Sequence, residues 1–153
     1  MGAEARLSDL GLELPPPPQP VASYIPIVVS GDLAFVAGQV PLQDGSLLWT
    51  GKLGADLTVA EGAAATRRCA LQALSVLRGT LGSLDRVRRI VKLTVYVASA
   101  PGFVQHPTVA DGASDLMAEV FGEQGRHARV SVGVAELPLG APVEVDVVAE
   151  ISD

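Results

Sequence analysis

Two charged side chains towards the C-terminal end of the chain form the pair best suited to chemistry. Arg129 lies in the alternating run 129–135 and Glu144 in the alternating run 143–151. A guanidinium holds a carboxylate through two parallel hydrogen bonds, and a carboxylate beside it can position or deprotonate a water. Strand parity decides whether the two can meet. In the first run Val130, Val132 and Val134 point one way, and Arg129, Ser131 and Gly133 the other. In the second, Val143, Val145, Val147 and Ala149 alternate with Glu144, Asp146, Val148 and Glu150. Paired as a hairpin, the two strands place Arg129 and Glu144 on one face, within about one pair of each other. On an open face this is a cross-strand ion pair contributing about 0.2–1 kcal/mol. In a cleft it is an anion clamp with a proton acceptor beside it. Helices cover one side of such a sheet, so the side carrying both residues becomes a cleft only if a partner chain covers it.

The elements that must hold this pair are legible in the remaining pattern. Ile27–Ser30 and residues 33–37 flank Gly31-Asp32, which predicts a hairpin, and Asp44-Gly45 marks a turn before an apolar stretch at 47–49. Thr58-Val59-Ala60-Glu61 has the capping-box pattern. Ala63, Ala70, Leu74, Leu77 and Leu81 follow at helical spacing, with Gly79 and Gly82 as candidate terminators. Residues 88–97 alternate, with Val91, Leu93, Val95 and Val97 on one face. Ala113, Leu116, Met117 and Val120 predict a second helix ended by Gly122. The expectation is an α+β fold: a single mixed β-sheet with two α-helices on one face. Residues 1–20 read as an N-terminal arm, with a short helix in 1–14 followed by Pro15, Pro16, Pro17, Pro18 and Pro20. Residues 21–153 read as the domain. The proline run is either a ligand for a proline-recognising module or a rigid arm lying along the domain.

Composition excludes several classes. With 153 residues, 48% hydrophobic and 18% charged, the chain is globular and long enough to bury a core. A net charge of −6 gives no basic footprint for nucleic acid, and no apolar run reaches the length of a membrane span. These features predict a soluble, cytoplasmic domain with neither nucleic acid nor membrane as partner. Cys69 alone cannot form an intramolecular disulfide, and it reads as a small buried apolar group. His106 and His127 are the two histidines, too few for an evident metal site. His127 either lines a pocket beside Arg129 or is a polar residue at a strand edge. The run Arg86, Arg88, Arg89 reads as a solvated edge.

Three motifs carry a family resemblance. His127-Ala-Arg129-Val-Ser-Val-Gly-Val-Ala-Glu-Leu-Pro138, followed by Val143-Glu144-Val145, resembles the Pro-Ala-Arg signature and downstream hydrophobic-Glu-hydrophobic element of the Rid family. These are the reactive intermediate deaminases, also called YjgF-like proteins and often labelled endoribonuclease L-PSP. Gly31-Asp32-Leu33-Ala-Phe-Val-Ala-Gly38-Gln39-Val40-Pro41 resembles the family's early hairpin, and Tyr24 stands at its pocket tyrosine. The resemblance implies a chorismate-mutase-like fold, a homotrimer with clefts between subunits, and cofactor-free hydrolysis of enamine or imine intermediates such as 2-aminoacrylate to a 2-keto acid and ammonia. Carried over, Arg129 grips the substrate carboxylate, Glu144 orients the attacking water, Tyr24 lines the pocket and the Gly38 backbone contacts substrate. The pocket also departs from the family. His127 replaces a proline, Ser131 stands where many members have cysteine, Ile25-Pro26 replaces Ser-Gln, and the helix-start asparagine is Ser114 or lost. The alternatives are a non-catalytic trimer that binds a small carboxylate and regulates a partner, and, disfavoured by the charge, a ribonuclease.

Overall fold

The computed structural model describes residues 1–19 and 23–153; Pro20 and the expected boundary between arm and domain lie outside them. Chain order is α1 (Ala3–Asp9), β1 (Ile27–Ser30), β2 (Leu33–Gln39), β3 (Leu42–Gln43), β4 (Ser46–Leu47), α2 (Val59–Leu81), β5 (Val87–Ala98), α3 (His106–Phe121), β6 (Ala128–Val134) and β7 (Val143–Ile151). Five strands form one mixed sheet in the order β1-β2-β7-β5-β6, and β3 and β4 pair separately. The α+β architecture with one main mixed sheet is as expected. The apolar stretch at 47–49 contributes only the end of the small hairpin, where Asp44 and Gly45 both take positive φ at its turn.

The long helix α2 begins as its capping box requires. The Thr58 side chain accepts from the Glu61 N–H, and the Glu61 carboxylate accepts from the Thr58 N–H. It runs through Gly79 and stops at Gly82, whose φ of 84° suits a residue without Cβ. The sheet buries Val143, Val145, Val147 and Ala149 of β7, and Ile90, Leu93, Val95 and Val97 of β5, under α2 and α3. A bulge at Val91 breaks the alternation of β5, so Ile90 rather than Val91 takes the core position before Leu93. Cys69 is fully buried, and burial pushes its thiol pKa well up. Ala3 and Leu7 of α1 join the same core, and the Ser75 hydroxyl donates to the Pro15 carbonyl where the proline segment crosses α2.

The last two strands do not form the expected hairpin. β6 pairs in parallel with β5, and β7 pairs antiparallel with β5 on its other side and with β2 beyond. The connection 135–142 explains this, being longer than the about two to five residues of a hairpin loop. It turns through Leu139 and Gly140 at positive φ and crosses the end of β5, where the Ala98 N–H donates to the Pro142 carbonyl and the Ser99 N–H to that of Val134. β5 and β7 thus become central strands, and β6 becomes an edge.

Among the described residues nothing covers the face of the sheet away from the helices. Val28, Leu33, Phe35, Val130 and Val132 are all exposed on it. Among the described residues no helix is long and apolar enough to cross a membrane.

Candidate active site

Arg129 pairs in register with Leu93, whose side chain is buried beneath the helices, so the two share the helix-covered face. Because β6 is an edge strand, the guanidinium emerges beside α3 rather than in the core. Its Nη1 donates to Asp111 Oδ1 at 2.8 Å and to Ser114 Oγ at 3.0 Å. Asp111 and Ser114 are neighbours at i,i+3 on α3, flanking its buried stripe of Val109, Ala110, Ala113 and Leu116. Gly112 between them lies against the backbone of Ala63 on α2, where a Cβ would collide with the carbonyl. Thr66 fixes the crossing by donating to the Val109 carbonyl at 2.7 Å. A close helix contact thereby sets how far Asp111 and Ser114 reach towards β6.

Ser131 points the same way as Arg129, one strand period further along, and is half-buried. Beyond it Gly133 faces His106 and Ser99. The Ser99 hydroxyl lies 2.9 Å from the Val97 carbonyl and 3.0 Å from His106 Nε2. A carbonyl only accepts, so the serine proton goes there and His106 donates to the serine oxygen. This histidine pins the start of α3 and does not activate Ser99. His127 is half-buried, and its Nδ1 lies 3.0 Å from the Ala128 carbonyl. Burial, joined by the positive Arg129, lowers its pKa despite that hydrogen bond.

Glu144 belongs to a different place. It pairs with Tyr96 on the uncovered face of the sheet. Beside it the β2–β7 register slips, so that Ala37 and Gly38 together oppose Asp146. A Cβ on Gly38 would lie 2.8 Å from the Glu144 carboxyl carbon, so glycine leaves the room that this side chain occupies. Gln39 and Gln72 support the bulge from beneath. Gln72 donates to the Val40 carbonyl at 2.8 Å and accepts from the Leu42 N–H at 2.8 Å. Burial raises the pKa of Glu144, and the neighbouring Asp146 adds to the rise. Asp146 itself accepts from the Tyr96 hydroxyl at 3.1 Å.

The expected meeting of Arg129 and Glu144 on one face is therefore corrected. β5 separates their strands, about 10 Å across at two strand spacings, and their side chains leave the sheet on opposite sides. Tyr24 is exposed ahead of β1, at the edge of the sheet opposite β6. One chain thus gathers Arg129, Ser114 and Ser131 in one group, and Glu144 and Gly38 in another. Asp111 is the residue that strand parity could not find; its i,i+3 relation to Ser114 on α3 was the available signal. A surface cavity of about 290 Å³, lined by Lys52, Asp56 and Glu136 among others, includes none of these side chains.

The sequence pattern of the family described as YjgF/chorismate mutase-like, putative endoribonuclease, matches residues 4–151. The chain belongs to that family. Among YjgF-like relatives, protein TCP17 of Trypanosoma cruzi is 52% identical over 150 residues, covering 97% of this chain and 94% of that protein. The crystal structure of Atu1372 from Agrobacterium tumefaciens, a protein of unknown function, superposes with a TM-score of 0.91 at 44% identity. It covers 98% of this chain and 92% of that one. A Shewanella oneidensis protein solved as a putative endoribonuclease gives a TM-score of 0.95 at 38% identity, covering 99% of this chain and all of the other (100%). The chorismate-mutase-like fold expected from the motifs is thereby established for this YjgF-like chain.

Proposed function

We propose that this YjgF-like protein is a hydrolytic deaminase of enamine and imine intermediates, and that each active site is completed by two copies of the chain. The placement of Arg129 and Glu144 on opposite faces carries the reading, since neither group has the other's chemistry within reach in one copy. The exposed apolar residues of the open face supply a surface for a second copy. An edge strand β6 laid across a neighbour's open face brings Arg129 of one copy towards Glu144 of the next. Three copies joined cyclically in this head-to-tail manner close on themselves, with one site at each contact. Tyr24 lines the same cleft, and Ser131 and His127 border the carboxylate anchor.

The chemistry needs little more. Arg129 holds the substrate carboxylate, and Glu144 takes a proton from water as its oxygen bonds to the imine carbon. The C=N electron pair of the protonated imine moves to nitrogen, giving a neutral carbinolamine. Glu144 returns the proton to that nitrogen, the C–N bond breaks with ammonia as the leaving group, and Glu144, again a carboxylate, takes the hydroxyl proton as the carbonyl forms. The products are a 2-keto acid and ammonia. An imine carbon is already electrophilic, so positioning and one proton carrier suffice. A raised Glu144 pKa brings the group closer to neutrality, which improves it as a base.

The test generates imines in situ with an amino-acid oxidase and follows competition with semicarbazide, across side chains from alanine-like to bulky. Faster hydrolysis that disappears in Arg129→Ala and Glu144→Ala is the expected result. No acceleration across the panel, from protein of verified assembly, would leave carboxylate binding without catalysis as the better account.

A further inference from the structure

Two buried glutamines serve one stretch of backbone. Gln39 closes β2 and is 5% exposed, and Gln72, 3% exposed, lies midway along α2. β2 leaves the main sheet after Gln39, and α2 takes up the backbone just beyond. Gln72 donates to the Val40 carbonyl and accepts from the Leu42 N–H, both at 2.8 Å; Arg68, one turn earlier, donates to the Leu42 carbonyl at 2.7 Å. The second N–H of the Gln72 amide reaches Gln39 Oε1 at 3.4 Å, and the Gln39 amide donates in turn to the Ala37 carbonyl at 3.0 Å. Ala37 opens the bulge whose next residue is Gly38, and a Cβ on Gly38 would stand 3.1 Å from Glu144 Oε1. A chain of hydrogen bonds thus runs from α2, beneath the sheet, to the bulge on whose open side the Glu144 carboxylate rests.

We propose that Gln72 is a positioning residue for Glu144, fixing the Gly38 bulge from the helix side so that the carboxylate keeps one place on the open side. Packing gives no reason for an amide at this depth, since an apolar side chain of similar volume fills a core at least as well and needs no partners. What the amide adds is direction: its carbonyl and both N–H groups are each committed to an atom of residues 39–42. Gln72→Met fills the same space but leaves the Val40 carbonyl and Gln39 without those partners. The bulge then moves independently of α2, and with it the floor under Glu144. Arg129, on β6 at the other end of the sheet, keeps its bonds to α3. The consequence for rate rests on the imine-hydrolysis reading; the consequence for the carboxylate does not.

Two readouts on the full-length assembled protein test this. The first is the titration of Glu144, followed by carbon NMR of isotopically labelled glutamate carboxyls, its signal being the one missing from Glu144→Gln. Asp146 of β7 and Tyr96 of β5 face this carboxylate and Cys69 of α2 senses its charge, and Gln72→Met changes none of them. Burial raises the Glu144 pKa, so a loosened bulge that admits water should move its midpoint down. The second is imine hydrolysis. Gln72→Met should lower kcat about tenfold with KM unchanged, and should cost nothing further in a Glu144→Gln background. Ser75→Ala, which strips a buried hydroxyl from the same helix, should behave as wild type in both. Should Gln72→Met not fold, Gln72→Asn, with its amide one carbon short, should show the same changes. An unmoved midpoint, a loss that adds to that of Glu144→Gln, or the same changes in Ser75→Ala overturns the proposal. A moved midpoint without any hydrolysis by wild type sinks the deaminase reading alone, and hydrolysis with an unmoved midpoint sinks this one alone.

Discussion

Arg129 and Glu144 occupy strands that never touch: β5 runs between them, and the guanidinium leaves the sheet towards α3 while the carboxylate leaves it on the uncovered side. If catalysis uses both, it uses them from different copies. Arg129→Ala and Glu144→Ala, each strongly impaired alone, should then complement when unfolded together and refolded as a mixture. A head-to-tail interface needs an intact arginine from one copy and an intact glutamate from the next. Random assembly restores about a quarter of the sites. A mixture as inactive as its components would show that no site is shared.

Arg129→Ala should lower kcat/KM for imine hydrolysis by about a hundredfold, the effect of losing ~3 kcal/mol of charge-assisted binding. Arg129→Lys should recover only part of this. An ammonium can meet Asp111 or a substrate carboxylate, but it lacks the second edge that lets guanidinium serve both. Steady-state kinetics on the two variants decide the point, and equal rates for Lys and Arg would remove the bidentate argument.

Gly38→Ala tests the bulge. The added methyl would stand 2.8 Å from the Glu144 carboxyl carbon, and one of the two must move. Rate should fall at least tenfold while the melting temperature changes little, because Gly38 is exposed and its φ is not among the positive ones. A variant with wild-type turnover would mean that the Glu144 position is not critical.

Glu144 also makes stability depend on pH. Its folded-state pKa is raised, so the native protein binds the proton more tightly than the unfolded chain does. Stability from the protonated form is full below the unfolded value, ~4.3, and is lost as pH rises through the folded one. Glu144→Gln removes the titration. It should melt higher than wild type at neutral pH, with the difference narrowing in acid, at the same time as activity is lost. A lower melting temperature at neutral pH would contradict this account.

Gly112→Ala addresses the frame that holds the anchor. A Cβ there meets the Ala63 backbone and Thr66, so α3 must back away from α2. Thermal denaturation should show a loss of about 1–3 kcal/mol. The substrate KM should rise as Asp111 and Ser114 withdraw from Arg129. Unchanged stability would show that the crossing yields more easily than its geometry implies.

The first hairpin, the capping box on α2 and the strand character of β5 were legible because each depends on neighbours in sequence: a Gly31-Asp32 turn, a Thr58–Glu61 pair, an alternation of valines. The pairing of β6 was not legible. Alternation tells which residues share a face of one strand and says nothing of which strand lies beside it, so a parallel crossover through α3 and a hairpin through residues 135–142 fit the same pattern equally. The motifs named the right family, but they left the helix-start position as Ser114 or lost, and only the structure puts Ser114 against Arg129. Asp111 escaped because it is exposed and one of many acids, and only the docking of α3 on β6 gives it a partner.

The division of the site between elements also bears on how such a protein can change over time. Asp111 and Ser114 occupy a single turn of α3, whereas Glu144 and Gly38 belong to β7 and a bulge in β2 on the far side of the sheet. A substitution in that helical turn alters the charge and shape around Arg129 without disturbing the carboxylate on the opposite face. Under the proposed function, lineages that share this fold are free to drift in the molecule held at Arg129 while the Glu144 half stays as it was, one helix turn acting as the exchangeable part.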